Sequence, residues 1–286
     1  MVGMIDHVDS LALSESIHTY HYNNQLITLH IAYKNFYLIA SNKNNTYDYT
    51  GVRIWPGAEL LCEWLITQPS LQYTSIIELG SGVGLCGLLC SKLSHSSITL
   101  TDCNTQSIEL LQHNIKLNNC QHNTNVIDLL WSTNNTVNAL YSAPAYDLII
   151  ASDVIYPDTT NETMCELFDT IDVILRQQDD TSNQYNQCAI MSYYTRSHIT
   201  TQLLFDTAAQ YHYQCTILHS DTTSGDYGCV LQFSKQSSDT VQDWHTSTPF
   251  MEMCNNSQQL ELQDELYGND SLSHILTSQY QFDWID

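Results

Sequence analysis

From residue 75 to residue 235 the chain switches repeatedly between two hydrophobic rhythms. Short apolar runs ("TSIIEL", "SSITLTD", "TNVIDLL", "YDLIIAS", "QCAIMSYY") have the length and residue types of buried strands. Between them lie longer stretches with apolar residues every three or four positions. These are "GLCGLLCSKL", "TQSIELLQHNIKLNN", "TNETMCELFDTIDVILRQ" and "HITTQLLFDTAAQY", and they predict helices. "YQCTILH" and "DYGCVLQFSK" predict a closing antiparallel pair. Upstream, "PGAELLCEWLITQ" predicts a helix with Pro56 in its first turn. Residues 17 to 40 alternate around an Asn-Asn break and predict a β-hairpin. Strand and helix alternate, with a polar loop in place of a helix between "TNVIDLL" and "YDLIIAS", and this order implies an α/β sheet, mostly parallel, with right-handed crossovers.

Three segments follow from this pattern. Residues 1–50 form an N-terminal β-hairpin extension, 51–235 the α/β domain, and 236–286 an acidic tail or appendage. After Lys235 there is no Lys or Arg, and polar residues dominate. That composition predicts a segment outside the sheet.

Charge narrows the partners. Only 8 basic residues face 31 acidic ones in 286 residues, a formal net charge of -23. Such a surface repels phosphate and argues against nucleic acid. It suits a basic segment of another protein. Ten cysteines show no CxxC pair and no zinc spacing with histidine, so neither a metal site nor a disulfide framework is expected. No stretch has the length and apolarity of a membrane helix or the layout of a signal peptide, so a reducing intracellular setting is expected, the cytoplasm with the nucleus as an alternative.

The chemistry concentrates in "SIIELGSGVGLCGLLCSKL". Gly82, Gly84 and Gly87 spell the dinucleotide fingerprint GxGxxG, whereas Gly80, Gly82 and Gly84 spell GxGxG behind the acid Glu78. In a dinucleotide site the first glycine closes the turn directly after the strand. Here that glycine is Gly80, which leaves Gly87 inside the helix. A carboxylate at Glu78 suits a cofactor with a cationic amino-acid end, such as S-adenosyl-L-methionine, better than a pyrophosphate. Asp102, at the end of the next strand, is placed to accept from a ribose diol in either cofactor class. Gly80, Asp102 and the "SDVIY" after "YDLIIA" all follow strands. They should converge at the C-terminal edge of the sheet, where open α/β folds bind ligands.

"GVRIWPGAELLCEWL", "IIELGSGVGLCGLL", "ITLTDC", "LLWS" and "DLIIASDVIY" occur in an order that resembles the seven-β-strand (class I) methyltransferases. The resemblance is specifically to the family 16 group of protein-lysine methyltransferases, over roughly residues 20 to 235. It implies a Rossmann-like seven-stranded sheet with helices on both faces, S-adenosyl-L-methionine as cofactor and a lysine-bearing protein as substrate for a monomeric enzyme. It also implies roles. Trp55 closes over the cofactor, and Gly80, Ser81 and Gly82 pass under its methionine part. Asp102 holds the ribose, Trp131 packs near the adenine, and Ser152 lines the cofactor. Asp153 and Tyr156 form the acid-x-x-aromatic motif at the substrate lysine. Small departures occur at Ser132, Ala151 and Ser152, where the family often has glycine or alanine.

Methyl transfer from a sulfonium is an in-line displacement, so alignment and desolvation matter more than a strong acid or base. The attacking lysine must be neutral, although its unperturbed pKa is about 10.4. An aromatic channel lowers that pKa and a carboxylate raises it. On this reading Asp153 binds and orients the incoming cation, and Tyr156 adds its ring and hydroxyl. Two alternatives remain at this point: another methyl acceptor (arginine, histidine or a small molecule), and a nicotinamide-dependent oxidoreductase using Gly82, Gly84 and Gly87.

Overall fold

The computed structural model describes residues 13–34, 50–131, 146–176, 187–222, 227–235 and 253. Residues 35–40 of the expected hairpin, Ser132, and the tail apart from Met253 lie outside them.

The hairpin is present, but it starts earlier than its alternation suggests. β1 (Leu13–Tyr22) pairs antiparallel with β2 (Gln25–Lys34) in a two-stranded sheet of its own. Asn23 and Asn24 turn the corner with φ of 48° and 62°. A two-residue hairpin turn of this hand needs positive φ at both positions, which asparagine tolerates better than other side chains.

The main sheet has seven strands: β3 (Ser75–Leu79), β4 (Ser97–Asp102), β5 (Thr124–Asp128), β6 (Leu148–Ser152), β7 (Cys188–Tyr194), β8 (Tyr213–Asp221) and β9 (Gly228–Lys235). Their order is β5-β4-β3-β6-β7-β9-β8, with β5 through β7 parallel and β9 antiparallel to both its neighbours. The chain steps outward from β3 to β5, then returns to the other side of β3 to lay down β6. The crevice between β3 and β6 is therefore the topological switch point. Asp147 clips this junction from below, its Oδ2 accepting from Thr74 N at 2.7 Å and Ser75 N at 3.0 Å.

Two-residue periodicity divides the core. Ile76 joins one buried cluster, and Ile77 and Leu79 join the other. The first cluster holds α1 (Pro56–Thr67), α2 (Leu85–Leu93), α3 (Thr105–Leu117) and the hairpin residues Leu29 and Ile31. The second holds α4 (Asn161–Arg176), α5 (His198–Gln210) and the buried face of β9.

Two asparagines four residues apart, Asn114 on α3 and Asn118 at its C-terminal cap, fasten the hairpin. Asn114 Oδ1 accepts from Ala32 N at 2.9 Å while its Nδ2 donates to Ala32 O at 3.0 Å. Asn118 makes the same pair of bonds with His30, at 2.9 and 2.7 Å. Each amide side chain stands in for a neighbouring strand and satisfies the edge of β2. Asn114 Nδ2 also donates to Val83 O in the glycine loop at 2.9 Å, so the hairpin is tied to the switch point itself.

Candidate active site

The floor of the switch point is the loop from Gly80 to Gly84. Gly80 and Gly82 take φ of 62° and 54°, the left-handed region that only glycine enters cheaply. Space decides as much as conformation. A Cβ on Gly80 would stand 2.8 Å from Val154 Cγ1, and one on Gly82 would stand 3.1 Å from Gly51 O. Gly87 lies inside α2, as its position predicts, and a side chain there would collide with Leu100 and Glu78. It serves helix-to-strand packing and takes no part in the loop.

Beside this floor opens a cavity of about 350 Å³. Its lining brings together Trp55, Gly80, Ser81, Gly82, Asp102, Trp131, Ser152 and Tyr156. These eight come from α1's leading segment and from the ends of β3, β4, β5 and β6, so the convergence argued from topology is the arrangement observed. Asp102 Oδ2 accepts from Gly82 N at 3.0 Å, and Oδ1 accepts from Asn104 N at 2.9 Å. It is not the cap of α3. That place belongs to Asn104, whose side chain accepts from Gln106 N and Ser107 N. A carboxylate has about four acceptor sites, so two backbone bonds leave capacity for a diol. Trp55 precedes α1, its Nε1 donating to Thr50 O at 2.7 Å. The Arg53 guanidinium lies 3.8 Å over the Trp55 ring, and the Tyr156 ring is tilted 6.0 Å from it.

Two expected site residues lie behind the wall of this cavity. Glu78 shares the face of Ile76 and pairs in register with Leu100 on β4 and Ile150 on β6. It is completely buried, accepting from Gly87 N at 3.1 Å through Oε2, while Oε1 has no hydrogen-bond partner. Burial pushes its carboxyl up to about 8, against the opposing pull of the Gly87 N–H. Alternation along β3 turns this side chain under α2, outside the lining of the cavity.

Asp153 is the second. It is 1% exposed, with φ of 53°, a costly conformation for a residue with a side chain. Arg196, on the loop after β7, donates Nη1 to Oδ1 and Nη2 to Oδ2, both at 2.7 Å. Gly57 N, in the first turn of α1, donates to Oδ2 at 3.3 Å. A Cβ on Gly57 would be 2.6 Å from Asp153 Cβ, which explains the glycine after Pro56. The carboxylate thus meets the positive end of α1 and a guanidinium fork, not the open cavity. Arg196 also lies 6.0 Å from the Trp55 ring and 5.6 Å from Tyr194. Neither Arg53 nor Arg196 was singled out from the sequence. The signal available was their scarcity, two of eight basic residues in so acidic a chain.

With this geometry in place, comparison with known proteins is decisive about kinship. Residues 37–206, more than half the chain, match the family described as lysine methyltransferase. The chain belongs to that family. It is 33% identical over 122 residues to the protein-lysine N-methyltransferase EEF2KMT of Homo sapiens, covering 39% of this chain and 37% of that one. It is 32% identical over 128 residues to the protein-lysine methyltransferase METTL21E of Mus musculus, covering 43% and 52%. With the protein N-lysine methyltransferase METTL21A of Xenopus tropicalis it shares 31% over 119 residues, covering 40% and 52%. The chain thus spans about half or less of the length of these curated relatives. S-adenosyl-L-methionine is the cofactor that goes with the family. The glycine-rich floor, the Asp102 carboxylate and the flanking Trp55 and Trp131 rings fit an adenosine-bearing ligand of that kind.

Proposed function

We propose that the protein is an S-adenosyl-L-methionine-dependent protein-lysine N-methyltransferase of a reducing compartment such as the cytoplasm. One observation carries the reading: the glycine floor, Asp102, Trp131, Ser152 and the Trp55–Tyr156 ring pair line a single cavity at the switch point of the sheet. Family membership gives the reaction class. Nine free thiols among the described residues suit the compartment.

Bound there, the cofactor would supply an electrophilic methyl group on a sulfonium. The chain's residues do the rest. Asp102 accepts from the ribose hydroxyls, Trp131 packs beside the adenine, and the glycine loop lets the ligand lie close to the backbone. Trp55 and Tyr156 form an aromatic flank along which a lysine side chain enters. Their rings strip water from the amine, which favours the neutral, attacking form. Asp153 acts as a positioning residue. Held by Arg196 and Gly57, it fixes the loop that carries Tyr156 relative to the segment that carries Trp55. Because Arg196 balances its charge, Asp153 does not hold the amine in its protonated state. The dinucleotide alternative fits less well, since the first glycine after β3 is Gly80, so that a fingerprint of Gly82, Gly84 and Gly87 would start two residues late.

The test is incubation of the purified protein and methyl-labelled cofactor with a proteome lacking this activity, followed by amino-acid analysis of the labelled protein. Methyl-lysine is the expected product. Methyl-arginine, methyl-histidine or an unlabelled proteome would overturn the reading.

A further inference from the structure

We infer that Arg53 is the anchor for the α-carboxylate at the methionine end of the cofactor, an assignment that rests on the cofactor reading above. A zwitterionic amino-acid end brings a carboxylate into a partly enclosed site, and such a group needs strong donors. The glycine loop has committed several of its own. Ser81 N donates to Thr101 O at 2.7 Å, Gly84 N to Ser81 O at 2.8 Å, and Gly82 N to Asp102. Asp102 and Glu166, which also line the cavity, repel a carboxylate. Arg53 is the one Lys or Arg among the described lining residues.

Local geometry presents it there. The Trp55 Nε1 bond to Thr50 O closes residues 50–55 into a turn. That turn lies on the loop, with Gly51 O 3.1 Å from where a Gly82 Cβ would be. The guanidinium stacks 3.8 Å over the Trp55 indole. Stacking uses the flat face of the group, whereas its N–H donors lie in the plane and point outward at its edge. The ring therefore orients a fork of the kind that matches a carboxylate.

Two ligands separate this role from general support of the site. S-adenosylhomocysteine carries the amino-acid end; 5′-methylthioadenosine shares the adenine, ribose and thioether but lacks it. Calorimetry on the full chain with Arg53→Met should show S-adenosylhomocysteine affinity falling by about tenfold or more, the scale of a lost charge-assisted pair. Methylthioadenosine affinity should be unchanged. Arg53→Lys should lie between, and Arg53→Gln, whose planar amide can still stack on Trp55, repeats the test if the Met variant folds poorly. Equal losses for both ligands, or no loss for S-adenosylhomocysteine, would overturn the assignment. A wild-type protein that binds neither ligand would instead sink the cofactor reading and this inference with it.

Discussion

Asp153 and Arg196 form a two-pronged ion pair, both bonds 2.7 Å long, with the carboxylate side chain fully buried and the guanidinium 18% exposed. The pair joins the end of β6 to the loop after β7, and through Gly57 N it also holds the first turn of α1. Breaking a buried pair from one side strands a charge, which costs more than the pair's net worth. Arg196→Met should therefore destabilise the fold by about 3 kcal/mol or more. Asp153→Asn combined with Arg196→Met should cost clearly less than the sum of the two single changes, because neither charge is left alone. Urea unfolding of the four proteins measures this directly, and additive losses would show that the two groups are not coupled.

Asp102 carries a double duty that sharpens what its removal should do. It fixes Gly82 N and Asn104 N, and it lines the cavity. Asp102→Ala should weaken S-adenosylhomocysteine binding by about one to two orders of magnitude, the scale of lost charge-assisted bonds to a diol. Unlike the Arg53 variants, it should weaken methylthioadenosine equally, since both ligands carry the ribose. Unchanged affinity for both in calorimetry would remove Asp102 from the ribose role.

The cavity and most of its lining were legible because they lie where the topology sends them. Apolar runs mark strands, strand ends mark the switch point, and Gly80, Asp102 and Ser152 sit at those ends. The two residues placed differently show what local pattern leaves out. Glu78 has the parity of Ile76, and that parity sends it under α2, yet its position just before a glycine loop looked like a ligand position. Asp153 finds its partner 43 residues downstream, a pairing that no local window contains. Met253 lies in a short, mostly apolar run, Phe250 to Cys254, too brief to carry a helix or strand period inside an otherwise polar tail.

Glu78 should make stability fall as pH rises. Its ordinary value is 4.5, and burial raises it to about 8 in the folded protein. Between those values the unfolded chain has released the proton while the folded protein retains it, so unfolding is favoured by rising pH. The group's favourable contribution is complete below pH 4.5 and is lost as pH climbs to about 8. Glu78→Gln keeps an oxygen for the Gly87 N–H and removes the titration. Relative to the wild type, this variant should gain stability from pH 5 to pH 8 by roughly 1 kcal/mol per pH unit. A constant difference between the two across that range of urea melts would mean that the buried carboxyl stays ionised.

Met253 sets the last prediction. It is the one described residue beyond Lys235, and it is completely buried in the cluster that contains Tyr193 and Phe233. The Cys229 thiol donates to its Sδ at 3.4 Å, which places the thioether against the inner face of β9. A chain cut after residue 235 would uncover that face, although composition alone argues that the tail is dispensable. Met253→Ala should cost about 2–5 kcal/mol, the range for emptying a core position, whereas Met253→Leu should cost less than about 1.5 kcal/mol because it keeps the volume. Truncation after residue 235 should lower the melting temperature at least as far as Met253→Ala does, and truncation after about residue 260 should lower it far less. S-adenosylhomocysteine should still raise the melting temperature of both truncated proteins, because the cavity lies at the switch point and, among the described residues, its lining runs no further than Glu166. A chain ending at 235 that melts with the full-length protein would show that Met253 adds nothing to the core.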